Sequence, residues 1–334
     1  MNIAFFELES FEKEFFSKQL SKHKLSFSSK PLTLRTVKKH VDTNILVVFT
    51  FSKIDKVIID KLPKLSCIIT MSTGYDHIDI AYAKEKNICV STVPQYGQNT
   101  VAEHAFGLLQ TLNRNIIQAV IRTRSKEFDY HGLIGRDLAG KTIGILGAGN
   151  IGQKMITYAK AFNMKVLVYD KFSDRGLAKK LGFRYTTLPT LCKNADFISL
   201  HLPLLPQTTG IIGSKEFSLM KKECLLINTG RGGLIDTKAL IIALDKKQIA
   251  GCALDVLEYE NDMKKESRFA LSKNPERRRL RLAVDNTELL FRKNVIITPH
   301  LAFYTREAVQ RIADTSLKNI NAFIKKKPIN VVNK

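Results

Sequence analysis

The chain has 334 residues, of which 44% are hydrophobic and 25% charged, a balance that suits a globular protein of two ordinary domains with a substantial core. Its 53 Lys and Arg against 31 Asp and Glu give a formal charge of +22. The basic residues lie mostly singly and in pairs, which argues against a nucleic-acid-binding protein and for a solvated basic face that attracts anionic small molecules. No apolar run is long enough to span a bilayer as a helix, and no membrane is expected as a partner.

The first hundred residues alternate between strand-like and helix-like segments. Asn2–Phe6, Asn44–Phe51, Cys67–Met71 and Ile88–Thr92 are short apolar runs that predict strands, and Ser10–His23 and Ile54–Leu62 have helical spacing. Such alternation predicts a parallel sheet covered by helices. The opening Met-Asn-Ile-Ala-Phe-Phe-Glu, with no basic residue before Lys13, reads as a first strand and not as a secretory signal. Thr100-x-x-Glu103 has the form of a capping box. It predicts one long apolar helix, Val101 to about Arg122, a candidate hinge and subunit contact that leads us to expect a homodimer.

Thr142–Leu146 then predicts a buried strand running into Gly147-x-Gly149-x-x-Gly152 and a helix over Gln153–Phe162. A second strand, Lys165–Tyr169, ends in Asp170, eighteen residues beyond Gly152. The order of strand, glycine turn, helix, strand and acid is that of a dinucleotide-binding unit. Gly147 permits the tight turn, Gly149 admits a pyrophosphate to the backbone, and Gly152 lets the helix pack against the strand. The helix N-terminus offers free N–H groups to the phosphates. Asp170 would accept hydrogen bonds from the adenosine ribose and repel a 2′-phosphate, so the expected cofactor is NAD and not NADP.

Further along, Asp196–Leu202, Cys224–Asn228, Gly251–Val256 and Val295–Thr298 predict four more strands, making six from Thr142 onward. Ser214–Lys222, opened by a serine cap, and Thr237–Lys246 predict helices. A polar stretch, Asn261–Phe291, reads as irregular and contains the densest basic run, Lys264–Arg281. The C-terminal helix Arg306–Lys325 would pack back on the first domain and make it discontinuous. The five cysteines are scattered, with no CxxC pair, and read as reduced core residues of a cytoplasmic protein without a bound metal.

Open parallel sheets bind ligands at the carboxyl ends of their strands, and four such ends carry reactive groups. Arg231 sits in Asn228-Thr-Gly-Arg-Gly-Gly, where a guanidinium can clamp a carboxylate and polarise a neighbouring carbonyl. Asp255 and Glu260 follow one strand, His300 ends the last, and His201-Leu-Pro203 ends another. A carboxylate such as Glu260 beside the His300 imidazole would favour the protonated ring, which can give a proton to a carbonyl oxygen as hydride reaches the carbon.

Together these stretches resemble the D-isomer-specific 2-hydroxyacid dehydrogenases, and within them the lactate-type enzymes. The matching segments are Ser72–Asp79, Val93–Tyr96 with Val101–His104, Gly147–Gly152, His201–Pro203, Ile227–Gly232, Asp255–Glu260 and Thr298–Thr305. The resemblance implies two doubly wound parallel-sheet α/β domains. A flavodoxin-like substrate domain would span residues 1–99 and 301–334, and a Rossmann NAD-binding domain 100–300, with the active site in the cleft. It implies Arg231 as carboxylate binder, His300 as proton donor and Glu260 as its partner. NAD contacts are implied at Gly147, Gly149, Asn150, Ile151, Gly152, Asp170, Leu202, Pro203, Thr208, Thr229, Gly230 and Asp255. Asp255 would meet the nicotinamide carboxamide. Thr73 and Gly74 would help hold the substrate carboxylate, Tyr96 would close the site, and Phe51 and Phe303 would press on a methyl group, sizing the pocket for pyruvate.

His104 reads as structural. Gly97-Gln98 replaces the Ser-Pro usual in the family, which predicts a more mobile loop, and the segment between Glu260 and His300 is longer and more basic than usual. Two other functions compete with D-lactate dehydrogenation. One is the same chemistry on a larger 2-keto acid, against which Phe51 and Phe303 argue. The other is an NAD-binding corepressor, which would be expected to carry a partner-binding extension.

Overall fold

The structure, a computed structural model, describes residues 1–258 and 277–333, and for 277–283 the backbone alone. The chain divides into two compact units, Met1–Tyr96 with Tyr304–Lys334, and Gly97–Phe303. The changeovers at Tyr96/Gly97 and Phe303/Tyr304 compare with the expected 99/100 and 300/301. Both units are α/β, each built on a doubly wound parallel sheet, as expected. No helix among the described residues is long and apolar enough to cross a membrane.

The first unit holds five parallel strands, β1 (Asn2–Phe6), β2 (Lys24–Ser28), β3 (Ile45–Val48), β4 (Cys67–Thr70) and β5 (Cys89–Ser91), in the order β2-β1-β3-β4-β5. Helices α1 (Ser10–Gln19), α2 (Lys56–Asp60) and α3 (Ile80–Glu85) connect them. In β3 and β4 every residue is buried, because helices cover both faces of a central parallel strand. The edge strand β2 is different. Its Lys-Leu-Ser-Phe-Ser is only partly buried and carries no continuous apolar run, which is why the sequence pattern does not disclose it.

The second unit opens with two helices in place of one. Helix α4 (Gln98–Asn113) and helix α5 (Ile116–Arg124) are separated at Asn115, whose φ of 51° is left-handed. Asn tolerates that conformation, and its side-chain amide donates to Ile134 O at 3.2 Å. Helix α4 starts at Gln98 with Gly97 as its cap, so Thr100 lies inside the first turn, buried, and the expected Thr100–Glu103 box is not the start.

Seven parallel strands follow, one more than the six expected: β6 (Thr142–Leu146), β7 (Lys165–Tyr169), β8 (Arg184–Tyr185), β9 (Phe197–Leu200), β10 (Leu225–Asn228), β11 (Gly251–Leu254) and β12 (Val295–Ile297). Their order is β12-β11-β10-β9-β6-β7-β8. The added strand is β8, a two-residue edge too short to show a period.

The helices of this unit are α6 (Asn150–Ala161), α7 (Arg175–Leu181), α8 (Leu188–Asn194), α9 (Ser214–Leu219) and α10 (Thr237–Asp245), with α11 (Arg277–Leu290) before the last strand. Helix α11 corrects the expectation that 261–291 is irregular throughout, and the rest of that stretch lies outside the described residues. Helix α9 is capped by Gly213, whose N–H donates to Glu216 Oε2 at 3.2 Å, and not by Ser214. The chain ends on α12 (Arg306–Ile324), which belongs to the first unit and packs on α1 and β4.

Candidate functional site at the carboxyl ends of the strands

Strand register brings six chain segments to one edge of the second sheet. Tyr169, Leu146, Leu200, Asn228, Leu254 and Ile297 stand side by side across β7, β6, β9, β10, β11 and β12. The residue after each is therefore the first to leave the sheet at that level: Asp170, Gly147, His201, Thr229, Asp255 and Thr298. All the cofactor and catalytic residues expected in this unit, apart from Glu260, follow from this row. Glu260 lies outside the described residues.

The glycine turn is built as its spacing predicts. Gly147 has a φ of 100°, and a Cβ there would come within 2.7 Å of His201 O, so β6 and β9 approach closely at the point where the chain order reverses. A Cβ on Gly152 would fall 1.9 Å from Gly147 O, so the first turn of α6 can pack against the loop only without a side chain. Asp170 folds back over this loop, its Oδ2 accepting from Ala148 N at 2.7 Å and its Oδ1 from Phe172 N at 3.0 Å. Asn150 is exposed, Ile151 and Leu202 are half-buried, and Pro203 is exposed. The Thr208 hydroxyl is held within its own loop, accepting from Leu205 N at 2.8 Å and donating to Pro203 O at 2.6 Å.

His201 shares a hydrogen bond with Ser199 Oγ at 2.9 Å through Nε2, while its buried Nδ1 finds no partner among the described residues. Burial in this apolar setting pushes its pKa down to about 4, so the ring is neutral at physiological pH.

Asn228 organises the arginine turn and was not singled out by the sequence. It is fully buried; its Nδ2 donates to Arg231 O at 2.9 Å and its Oδ1 accepts from Gly230 N at 3.0 Å. The two bonds clip Thr229, Gly230 and Arg231 into one loop. Arg231 is half-buried, and its Nη1 donates to Gly230 O at 2.9 Å. Thr229 Oγ1 is buried without a partner among the described residues. A buried asparagine at the last position of a strand is the signal that would have found this clip.

Asp255 is the hub of the next two loops. Its side chain is 0% exposed. Oδ1 accepts from Thr298 Oγ1 at 2.5 Å and from Leu301 N at 2.9 Å, and Oδ2 accepts from Ala302 N at 2.9 Å. His104 Nε2 on α4 stands 3.5 Å from Oδ1 and 3.2 Å from Thr298 Oγ1. Burial pushes the pKa of Asp255 up, but the bonds from His104, Thr298 and the two amides outweigh it, and the net shift is below the usual carboxylate value. Both carboxylate oxygens thus accept from groups of the loop that follows β12.

The loop so held carries His300, which has a left-handed φ of 55°. That conformation costs a non-glycine residue about 1–2 kcal/mol, and it persists because both flanks are fixed. His300 N donates to Asp255 O and to Thr298 O, each at 2.9 Å, and the next two amides are held by the Asp255 carboxylate. A strained backbone so braced is a mark of functional loops. Half-buried Phe303 follows directly.

The remaining expected residues lie in the first unit, at the same end of its strands. Glu7, at a φ of 66° just beyond β1, accepts from Phe51 N at 2.8 Å, Ser52 N at 3.1 Å and Phe49 N at 3.2 Å, and from the Ser52 hydroxyl. Burial raises its pKa, against the pull of these bonds. Glu7 belongs to none of the motifs, although an acid directly after a buried strand is a usable signal. The Thr73 hydroxyl donates to Val93 O at 2.8 Å, and Ser72 Oγ donates to Gly74 O at 2.6 Å. Tyr96 is half-buried and its carbonyl accepts from Arg311 Nε at 2.7 Å.

Comparison with known proteins agrees with this geometry. The sequence model described as "D-isomer specific 2-hydroxyacid dehydrogenase, NAD binding domain" matches residues 106–302, over half of the chain. A protein named glyoxylate reductase, from Thermococcus litoralis, is 38% identical over 301 residues, covering 88% of this chain and 84% of that one. One named D-lactate dehydrogenase, from Escherichia coli, is 33% identical over 327 residues, covering 96% of each. Among solved structures, that of D-lactate dehydrogenase from Aquifex aeolicus with NAD and lactic acid superposes with a TM-score of 0.89 at 33% identity, covering 100% of this chain and 99% of that one. NAD is the cofactor, and the residues present fit it. The space beside Gly149 is open, the N-terminus of the twelve-residue α6 faces it, and Thr229 Oγ1 and His201 Nδ1 are buried polar atoms at neighbouring strand ends.

Proposed function

We propose that this chain, which belongs to the D-isomer-specific 2-hydroxyacid dehydrogenases, is an NAD-dependent D-lactate dehydrogenase interconverting pyruvate and D-lactate. The observation that carries the reading is the level row of strand ends from β10 to β12, with Arg231, Asp255 and His300 within three residues beyond the ends of three adjacent strands. NAD supplies or removes the hydride when bound.

The chain's own residues do the rest. Arg231, in a turn clipped by Asn228, clamps the substrate carboxylate with its planar fork of donors and draws electron density from the adjoining carbonyl. His300, fixed at its left-handed turn, gives a proton to the carbonyl oxygen during reduction and takes it back during oxidation. Glu260 stabilises the charged ring. Asp255, with His104 and Thr298, acts through the His300 loop as a positioning residue. The glycine turn, Asn150 and Ile151 hold the pyrophosphate, and Asp170 has lone pairs left for the ribose hydroxyls after accepting its two amides. Leu202, Pro203, Thr208, Thr229 and Gly230 complete the cofactor contacts. Thr73, Gly74 and Tyr96 are substrate contacts, and Phe51 and Phe303 set the size of the group beside the carbonyl.

The assembly we propose is a homodimer. Exposed apolar side chains concentrate on α5 and the loop after it, with Ile116, Ile117, Val120 and Ile121 at 40–53% exposure and Phe128, Tyr130 and Ile134 at 76–92%. Contiguous apolar surface of this kind marks an interface.

The substrate is tested by NADH oxidation across pyruvate, glyoxylate, hydroxypyruvate, a branched-chain and an aromatic 2-keto acid. Pyruvate should show the highest kcat/KM, and Phe51→Leu or Phe303→Ala should shift preference toward larger acids by about 1–3 kcal/mol. Glyoxylate ahead of pyruvate would overturn the lactate assignment and leave the family chemistry intact.

A further inference from the structure

Cys67 and Cys89 are directly paired across two neighbouring parallel strands. The register of β4 on β5 sets Cys67 opposite Cys89, so both side chains leave the same face of the sheet. Strands in a sheet lie about 4.8 Å apart, and disulfide-bonded residues have Cα atoms roughly 4.4–6.8 Å apart. The spacing of paired strands thus falls within the Cα range that a disulfide spans. No other pair among the five cysteines shares a register position: in the second sheet Leu226 stands opposite Cys252, and Cys192 lies on α8.

The two thiols differ in the way a reactive pair must. Cys67 is wholly buried, while Cys89 is half-buried on the last strand of the sheet, with its Sγ 3.9 Å from Ser91 Oγ. The Cys67 thiol donates a hydrogen bond to Cys89, and this bond brings Cys89 down to about 7 against the opposing effect of burial. The same bond, with burial, pushes Cys67 well above the ordinary thiol range. Burial sends Cys192 and Cys252 up to about 12 and also raises Cys224, so none of these three offers an attacking thiolate.

We propose that Cys67 and Cys89 form a peroxide-responsive dithiol, in which Cys89 is the attacking and Cys67 the resolving cysteine. The Cys89 thiolate attacks one oxygen of a hydroperoxide, the O–O bond breaks, and Cys89 becomes a sulfenic acid as hydroxide or alkoxide departs. The Cys67 sulfur then attacks the Cys89 sulfur. The S–O bond breaks and the leaving hydroxide takes the Cys67 proton, giving water and the Cys67–Cys89 disulfide. Two thiols lose two electrons in all, and the peroxide gains them.

The bond would close a loop containing α3 and the Ser72–Asp79 segment. It would form at the start of β5, a strand already tied on its outer edge to the C-terminal segment through Val332 N to Val90 O and Val90 N to Asn333 Oδ1, each 2.9 Å. Cys67 and Cys89 open their strands, whereas Thr73 and Tyr96 lie beyond the opposite ends. Oxidation should accordingly raise thermal stability by constraining the unfolded chain and leave NADH-dependent turnover close to its reduced value.

The test uses the full chain, fully reduced and then exposed to hydrogen peroxide. Thiols counted in denaturant should fall from five to three, and peptide mapping should find one crosslink, Cys67 to Cys89, with the mass lower by the two lost hydrogens. In Cys67→Ser, which keeps a donor to Cys89 but has no resolving sulfur, the reaction should stop at a sulfenic acid on Cys89 that a 1,3-diketone probe captures, and Cys89→Ser should lose no thiols at the same peroxide dose. Five thiols remaining in the wild-type chain, or a crosslink between any other pair, would overturn the proposal. Because peptide mapping is done on the unaltered protein, a variant that fails to fold does not remove the test.

Discussion

Asp255→Asn probes the element on which the site most depends. The wild-type carboxylate is completely covered and accepts from Thr298 Oγ1, Leu301 N and Ala302 N, with His104 Nε2 alongside. Asparagine keeps one acceptor oxygen but turns an NH₂ group toward a donor, either Ala302 N on one side or the Thr298 and Leu301 donors on the other. One buried donor left unpaired costs about 1–3 kcal/mol, and each charge-assisted bond that becomes neutral loses roughly 1 kcal/mol more. The sum is about 3–6 kcal/mol, a large share of the stability of any domain. Urea unfolding at neutral pH should show this as a lower midpoint with an unchanged slope.

The site should respond as well. His300 occupies its left-handed conformation only because the loop is braced, so in the folded variant turnover should fall roughly 10–100-fold by misplacement of the ring, with little change in NADH affinity. The pH dependence has a definite sign. A carboxylate whose folded pKa is lowered contributes stability that is complete above its usual value of 3.8 and is lost as pH falls through the folded value. The wild-type protein should thus lose this contribution on acidification, and the Asn variant should have none to lose. A variant with wild-type midpoint and wild-type turnover would refute the bracing role of Asp255.

Asp170→Ala should relax a preference for NAD over NADP that is at least about tenfold in the wild type, since a charge-assisted bond is worth roughly 1.5–3 kcal/mol; wild-type kcat/KM values equal for the two cofactors would contradict the role. His201, with a folded pKa lowered from 6.5 to about 4, resists protonation in the fold, so stability is complete above 6.5 and falls as pH drops toward 4. His201→Gln should flatten that part of the stability curve, and denaturant midpoints taken at several pH values would show it. Ile121→Asp places a charge in the exposed apolar surface of α5, where Ile121 is 53% exposed; light scattering should find the wild type dimeric and the variant monomeric, and a wild-type monomer would remove the proposed interface.

The parts of the fold legible in the sequence were those set by strong burial. β3, β4, β9 and β10 are buried at every position and appear as short, largely apolar runs. The glycine turn was legible because steric exclusion at Gly147 and Gly152 permits no other residue. Edges were not: β2 mixes polar and apolar residues and β8 has two, so neither carries a period. The continuous apolar pattern from Val101 to Arg122 concealed a break at Asn115, because α4 buries its apolar face while α5 buries none of its residues, and hydrophobicity alone does not separate a core from an uncovered surface. At the site, spacing located Arg231 and His300, but not what holds them. The Asn228 clip, the Asp255 hub and the Glu7 anchor are made by side chains reaching backbone amides, and residue order shows such bonds only as a polar residue at or just beyond a strand end.

The assignment is tested most directly by the stereochemistry of the product. The protein is incubated with pyruvate and NADH until the absorbance of NADH is exhausted, and the lactate formed is resolved on a chiral column, with His300→Ala run in parallel. Our account predicts D-lactate alone, formed in equal amount to the NADH consumed, with turnover about 10²–10⁴-fold lower in the variant. L-lactate as the product, or a His300→Ala variant that turns over as fast as the wild type, would contradict it.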